Sequence, residues 1–138
     1  MARPAKLGSV QDDRRCFACG PDNAVGLQMT FEYGDGTARS VVKPKRHLSG
    51  WSALLHGGIV ATLLDEAMAH AAISLGIRAV TAKLEVRFRT ATPVDDRALV
   101  VEGRIEQRRG RMLEMTSDLR DEAGTLYAHA RGRFVAEV

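Results

Sequence analysis

The segment Leu55-His56-Gly57-Gly58 stands directly before the most apolar stretch of the 138-residue chain. If that stretch is a helix, free backbone N–H groups and the positive end of the helix dipole converge on the two glycines. With no Cβ in the way, a ligand can reach the main chain. The result is an anion site or, for an acyl carbonyl, an oxyanion hole. A tight loop before a helix, with His56 capping or packing, explains the motif equally well. Farther along, Asp65 and Glu66 put two carboxylates into the same apolar run. Burying a carboxylate is costly without a partner, and adjacent helix positions point about 100° apart, so the two cannot share one environment. One is a candidate general base or nucleophile; two ion-paired structural acids is the alternative. His70 reads as a packed or interface histidine. Along one helix His56 and Asp65 are separated by roughly 13 Å. A single carbonyl therefore cannot touch the Gly57 N–H and the Asp65 of the same helix. If both act, Asp65 comes from a second subunit whose helix runs antiparallel, and function implies at least a two-fold dimer.

Cys16 and Cys19 form one CxxC in a Gly/Pro/Asn-rich stretch. Zinc needs further Cys or His ligands at close spacing, and none follow nearby. The motif also does not sit where a redox CxxC would, at a helix start after a strand. The pair therefore reads as reduced and structural, with no metal and no cofactor. Lys plus Arg is 20 and Asp plus Glu is 17, a net charge of +3, which excludes a polybasic or an acidic disordered chain. All but Lys6, Lys43, Lys45 and Lys83 of the basic residues are Arg, which suits phosphate or carboxylate recognition and equally surface ion pairs. The Arg87/Arg89 strand face and the Arg108–Arg111 turn are candidate phosphate contacts or simply solvated positions.

These residues must be held by a small set of elements. The length suits one domain able to bury a core without staples. Met1–Arg15 is polar and reads as a flexible N-terminal segment, with a single domain over 16–138. Leu27–Tyr33 and Thr37–Val42 flank Gly34-Asp35-Gly36 as a hairpin. Gly58–Leu75 is one long helix, apolar nearly all round and hence enclosed, stopped by Gly76. Period-two alternation then predicts half-buried strands beginning near Val80, Leu99, Leu113 and Leu126, with turns at Pro93–Arg97, Arg109–Arg111 and Glu122–Gly124. The inward face of the last strand is small in the middle (Ala128, Ala130, Gly132), where the helix must approach closely. The expected fold is α+β: an antiparallel sheet of about five or six strands curled around one buried helix. The N-terminus has no apolar core of a signal peptide and no run approaches a membrane span, so the expected compartment is the cytoplasm, with no membrane partner.

The stretches CFACGPDNAVGL (Cys16–Leu27), GWSALLHGGIVATLLDEAM (Gly50–Met68), VTAKLEVRFRTATPV (Val80–Val94), RRGRM (Arg108–Met112) and DEAGTLYAHARGRFV (Asp121–Val135) resemble the hotdog-fold acyl-CoA thioesterases. The specific likeness is to the PaaI-like branch of the 4-hydroxybenzoyl-CoA thioesterase superfamily. The resemblance implies a hotdog fold, an acyl-CoA substrate, and a homodimer at least, or a homotetramer. It implies that the Gly57 N–H polarises the thioester carbonyl, that His56 supports the loop, that Asp65 activates water or attacks, and that Thr81 helps hold the water. Glu66 is then structural. Gly58, Ser49, Trp51, Arg89, Arg109 and Arg111 are the implied substrate contacts. Ser52 and Ala53 stand where the family often has Pro and Gly, and Ser49 is the short substitute for a nearby Gln or Asn. That altered loop motivates the alternative of a non-catalytic acyl-CoA-binding or sensor module. A dehydratase on the same fold fits the HGG–Asp65 spacing less well. Nucleic acid is not an expected partner, since the Arg faces lack interleaved aromatics.

Overall fold

The computed structural model describes residues 12–137. Of the predicted flexible segment, residues 1–11 lie outside the described residues. Arg14 and Arg15 are tied to the loop that follows: the Arg14 Nε donates to Asp22 at 3.0 Å and the Arg15 carbonyl accepts from the Asn23 side chain. The chain then runs β1 (Glu32–Gly34), β2 (Thr37–Val42), a short 3-10 turn (Arg46–Leu48), α1 (Gly57–Ile73), β3 (Ala79–Phe88), β4 (Leu99–Arg109), β5 (Met112–Asp121) and β6 (Leu126–Ala136). The strands form one antiparallel sheet in the order β1-β2-β4-β5-β6-β3. The expected α+β architecture is the observed one.

The first predicted strand is much shorter than its apolar pattern suggests. Leu27–Phe31 is not paired in the sheet. The Leu27 and Met29 N–H groups donate to the Phe17 and Ala18 carbonyls, and Gln28 between them is left-handed (φ 50°). These residues hold the cysteine loop rather than extend the hairpin, whose two-residue turn closes at Gly36 (φ 76°).

Helix α1 is enclosed, as its sequence requires. Val60, Leu63, Leu64, Ala67, Met68, Ala71 and Ala72 are all buried. It stops where Gly76 turns left-handed (φ 73°). The helix lies across the sheet, chiefly on β4, and two glycines set how closely. A Cβ at Gly103 of β4 would fall on the main chain of Ala67 and Met68; one at Gly132 of β6 would meet the end of Met68 and the ring of Phe134. The expected small patch on the last strand is thus where Met68 lies. Backbone cannot yield as a side-chain end can, so Gly103→Ala is expected to lose about 1–3 kcal/mol and Gly132→Ala less. Urea unfolding of both variants checks the order.

Strand β3 departs from expectation. Its alternation predicts one face on the core, yet it is exposed along nearly its whole length, with Val80, Leu84 and Phe88 among the exposed large apolar side chains. The cause is topological: β3 is an edge strand of the sheet, bonded only to β6. A bulge between Thr81 and Lys83 also shifts the phase, so Thr81 shares the helix side with Leu84, Val86 and Phe88 while Val80 does not; of these apolar residues Val86 packs on the core, and Leu84 and Phe88 stay exposed.

Candidate active site

The loop before α1 is fixed by main-chain pairing. The Leu55 N–H donates to Thr92, the His56 N–H to Leu48, and the Leu54 N–H to Trp51. Backbone bridges join Ser49 to Leu55 and Leu54 to Pro93. His56 is the N-cap, and its Nδ1 accepts the Gly58 N–H at 2.9 Å. The Ile59 and Val60 N–H groups go to the His56 carbonyl. Among the described residues, the Gly57 N–H has no acceptor. His56 therefore satisfies one glycine's donor and leaves the other open, which unites the capping and oxyanion readings of this motif.

That donor opens on a groove of about 430 Å³ lined by Trp51, His56, Gly57, Phe88 and Arg89. Trp51 is 86% exposed, and the Phe88 ring lies over Gly57. Four expected site residues, His56, Gly57, Trp51 and Arg89, thus meet here; Ser49 belongs to the loop before α1 and Gly58 to the first turn of the helix. Phe88 was not singled out by sequence; its position at the end of an alternating strand carries no mark of function.

Asp65 lies two turns farther along α1, beside β3. The Thr81 hydroxyl donates to its Oδ1 at 2.7 Å. Burial pushes the Asp65 carboxyl up; the Thr81 hydrogen bond opposes this, the Glu66 charge adds to it, and the net shift is upward. Such a carboxylate is a better proton acceptor than a solvated one. Thr81 and Asp65, paired by sequence only through resemblance, are in direct contact.

Glu66 faces elsewhere, as the 100° offset demands. Its Oε1 lies 3.1 Å from His70 Nε2 and 3.7 Å from the Cys16 Sγ. Burial pushes Glu66 up, but hydrogen bonds from His70, Cys19 and Cys16 outweigh it and hold the carboxylate below its ordinary range. His70 is packed, stacked on Phe31 with ring centroids 3.9 Å apart and bonded at Nδ1 to the Tyr33 hydroxyl.

Two expected residues stand apart. Arg109 and Arg111 flank the left-handed Gly110 between β4 and β5, and the Arg111 Nε donates to the Ala136 carbonyl. Ala136 pairs with Ala79, so this turn lies toward the start of β3, whereas Arg89 follows its end. No single chain gathers all three arginines at one point.

Residues 53–128 match the family described as the thioesterase superfamily. The bovine (Bos taurus) acyl-coenzyme A thioesterase THEM4 is 31% identical over 133 residues, covering 91% of this chain and 54% of that protein. The chain thus spans about half the length of this curated relative. Protein RHA08564, a solved structure described as a thioesterase superfamily protein, superposes with a TM-score of 0.82 at 29% identity, covering 88% of this chain and 60% of that one. A hypothetical thioesterase from Streptococcus pneumoniae TIGR4, solved with coenzyme A, has the same fold at a TM-score of 0.74 and 21% identity, over 78% of this chain and 87% of that one. A six-stranded antiparallel sheet around one enclosed helix, opened by His56-Gly57-Gly58, and a family match over more than half its length make this chain a hotdog-fold member of the thioesterase superfamily.

Proposed function

We propose that the chain hydrolyses acyl-CoA thioesters, with Asp65 of one protomer acting on a carbonyl held by the Gly57 N–H of its partner. The observation that carries this reading is the Thr81–Asp65 pair, a carboxylate of raised basicity beside an edge strand. Asp65 takes a proton from water as the oxygen attacks the thioester carbon, or attacks that carbon itself. The carbonyl oxygen takes up charge against the Gly57 N–H. The C–S bond then breaks, and the CoA thiolate takes the proton held by Asp65 or one from solvent; where Asp65 itself attacked, water then opens the resulting anhydride to free acid and restores the carboxylate. The names of the bovine relative and of the CoA-bound pneumococcal structure support this substrate class.

A homodimer completes the site. Asp65 and Gly57 of one chain stand on the same rigid helix, roughly 12 Å apart, too far for one carbonyl. A second copy packed antiparallel along β3 would cover Leu84 and Phe88 and lay one Asp65 beside the other's Gly57. It would also bring the Arg109/Arg111 turn of one protomer toward the Arg89 end of the other, where Arg can hold the CoA phosphates. A tetramer would be a pair of such dimers.

A panel of short, long and aromatic acyl-CoAs, with a thiol-trapping dye, is expected to release free CoA. Binding without thiol release would favour a binding or sensor module instead. Asp65 must be ionised to act, so kcat/KM is expected to fall as pH drops, along an acid limb above the ordinary carboxylate range. The Thr81 hydroxyl stabilises the ionised form. Thr81→Val should therefore move the limb to higher pH; an unmoved limb would remove Asp65 from the reaction.

A further inference from the structure

The cysteine pair and Glu66 take no part in that chemistry, yet they converge. The Cys16 and Cys19 sulfurs and a Glu66 carboxylate oxygen all lie within 4.8 Å of one another. They face a second cavity, of about 520 Å³, on the flank of α1 away from the Gly57 groove and lined also by His70, Ile77 and Arg78. We propose that Cys16, Cys19 and Glu66 bind one zinc ion.

The loop is built to present both sulfurs together. The Gly20 N–H closes onto the Cys16 carbonyl at 2.8 Å, and a Cβ at Gly20 would collide with the Cys16 main chain. The Cys19 N–H is aimed at the Cys16 sulfur at 3.4 Å, so the turn holds that sulfur against its own main chain. The intervening Phe17 and Ala18 carbonyls are held by Leu27 and Met29. The third ligand is on a rigid helix, and His70 Nε2 steadies its carboxylate while Tyr33 steadies His70. An outer partner of this kind is what orients ligands around a metal.

The donor set fits zinc. Two thiolates and a carboxylate are ligands zinc takes in tetrahedral sites, and ideal bond lengths put neighbouring ligand atoms about 3.3–3.8 Å apart. The Cys16 sulfur and the Glu66 oxygen, 3.7 Å apart, already stand within that range. The fourth position opens to the cavity, for water. Binding replaces two thiol protons with one dication, and those protons pass to solvent.

The test uses the full chain, stripped with a chelator and returned to Zn²⁺ under reducing conditions. Expected are one zinc per chain in competition with a chromogenic chelator, and protection of both thiols from a thiol reagent. Co²⁺ in its place should give a thiolate-to-cobalt charge-transfer band. Cys16→Ser and Cys19→Ser should abolish the band. Glu66→Gln, nearly the same shape, should weaken zinc binding by at least about tenfold with the fold retained by circular dichroism. Zinc that fails to bind while both thiols stay reactive overturns the proposal. So does zinc retained by the Cys16→Ser/Cys19→Ser double variant, or a Cys16–Cys19 disulfide as the only state of the pair. None of these readouts depends on thioester hydrolysis, so the zinc site and the catalytic reading stand or fall separately.

Discussion

Asp65→Asn is expected to lower acyl-CoA turnover by about 10²–10⁴-fold, the range a positioned general base supplies, while fold and oligomeric state stay as they are. The amide keeps the shape and can still accept the Thr81 hydrogen bond, so packing around α1 is undisturbed. What it loses is the capacity to take a proton or to attack. Because burial holds the native carboxyl above its usual range, removing its charge should leave stability near neutral pH unchanged or slightly higher. Near-normal hydrolysis by pure Asp65→Asn protein would end the assignment. Steady-state kinetics beside circular dichroism and sedimentation separate these outcomes.

Gly57→Pro is expected to cost about 10²–10³-fold in kcat, as loss of one oxyanion donor does. The substitution is milder than it looks. Gly57 is the first residue of α1, where proline is well tolerated because its missing N–H has no helical acceptor. The residue before a proline favours extended backbone, and His56 already has it, at φ −58° and ψ 133°. The added Cβ would sit at ordinary contact distance from Phe88. The helix therefore survives and the donor disappears. Mixing the two inactive variants then tests where the site lies. In a dimer of one Asp65→Asn chain and one Gly57→Pro chain, one site carries both lesions and the other carries neither. Activity should return on mixing and exchange. If the two groups served within a single chain, every site would keep a lesion and the mixture would stay inactive.

Much of this architecture was legible before any coordinates. Helix α1 announced itself by a long run without internal Gly or Pro, and the hairpin turns by glycines that are left-handed in the structure, Gly36, Gly110 and Gly124. The sheet's far edge was not legible. Alternation along β3 says that one face is apolar, but a period of two cannot say whether the chain's own core or another surface covers it. The short β1 was missed because backbone N–H groups of Leu27 and Met29 are claimed by Phe17 and Ala18, a long-range competition that composition does not record. The direction of Glu66 was half readable. Its divergence from Asp65 followed from helix geometry, but its approach to Cys16 joins residues 50 positions apart. A search for metal ligands at close spacing passes over such a partner.

The back-to-back acids turn the helix into a rotary selector. Asp65 meets Thr81 and Glu66 meets the cysteine loop only because of the phase at which α1 leaves His56. Inserting one residue between Gly58 and Asp65 would advance that phase by about 100°. Each carboxylate would be turned away from its partner, although no side chain had been replaced. The interior of this helix can therefore exchange residues but not gain or lose them, and length variation is confined to the loops beyond its ends.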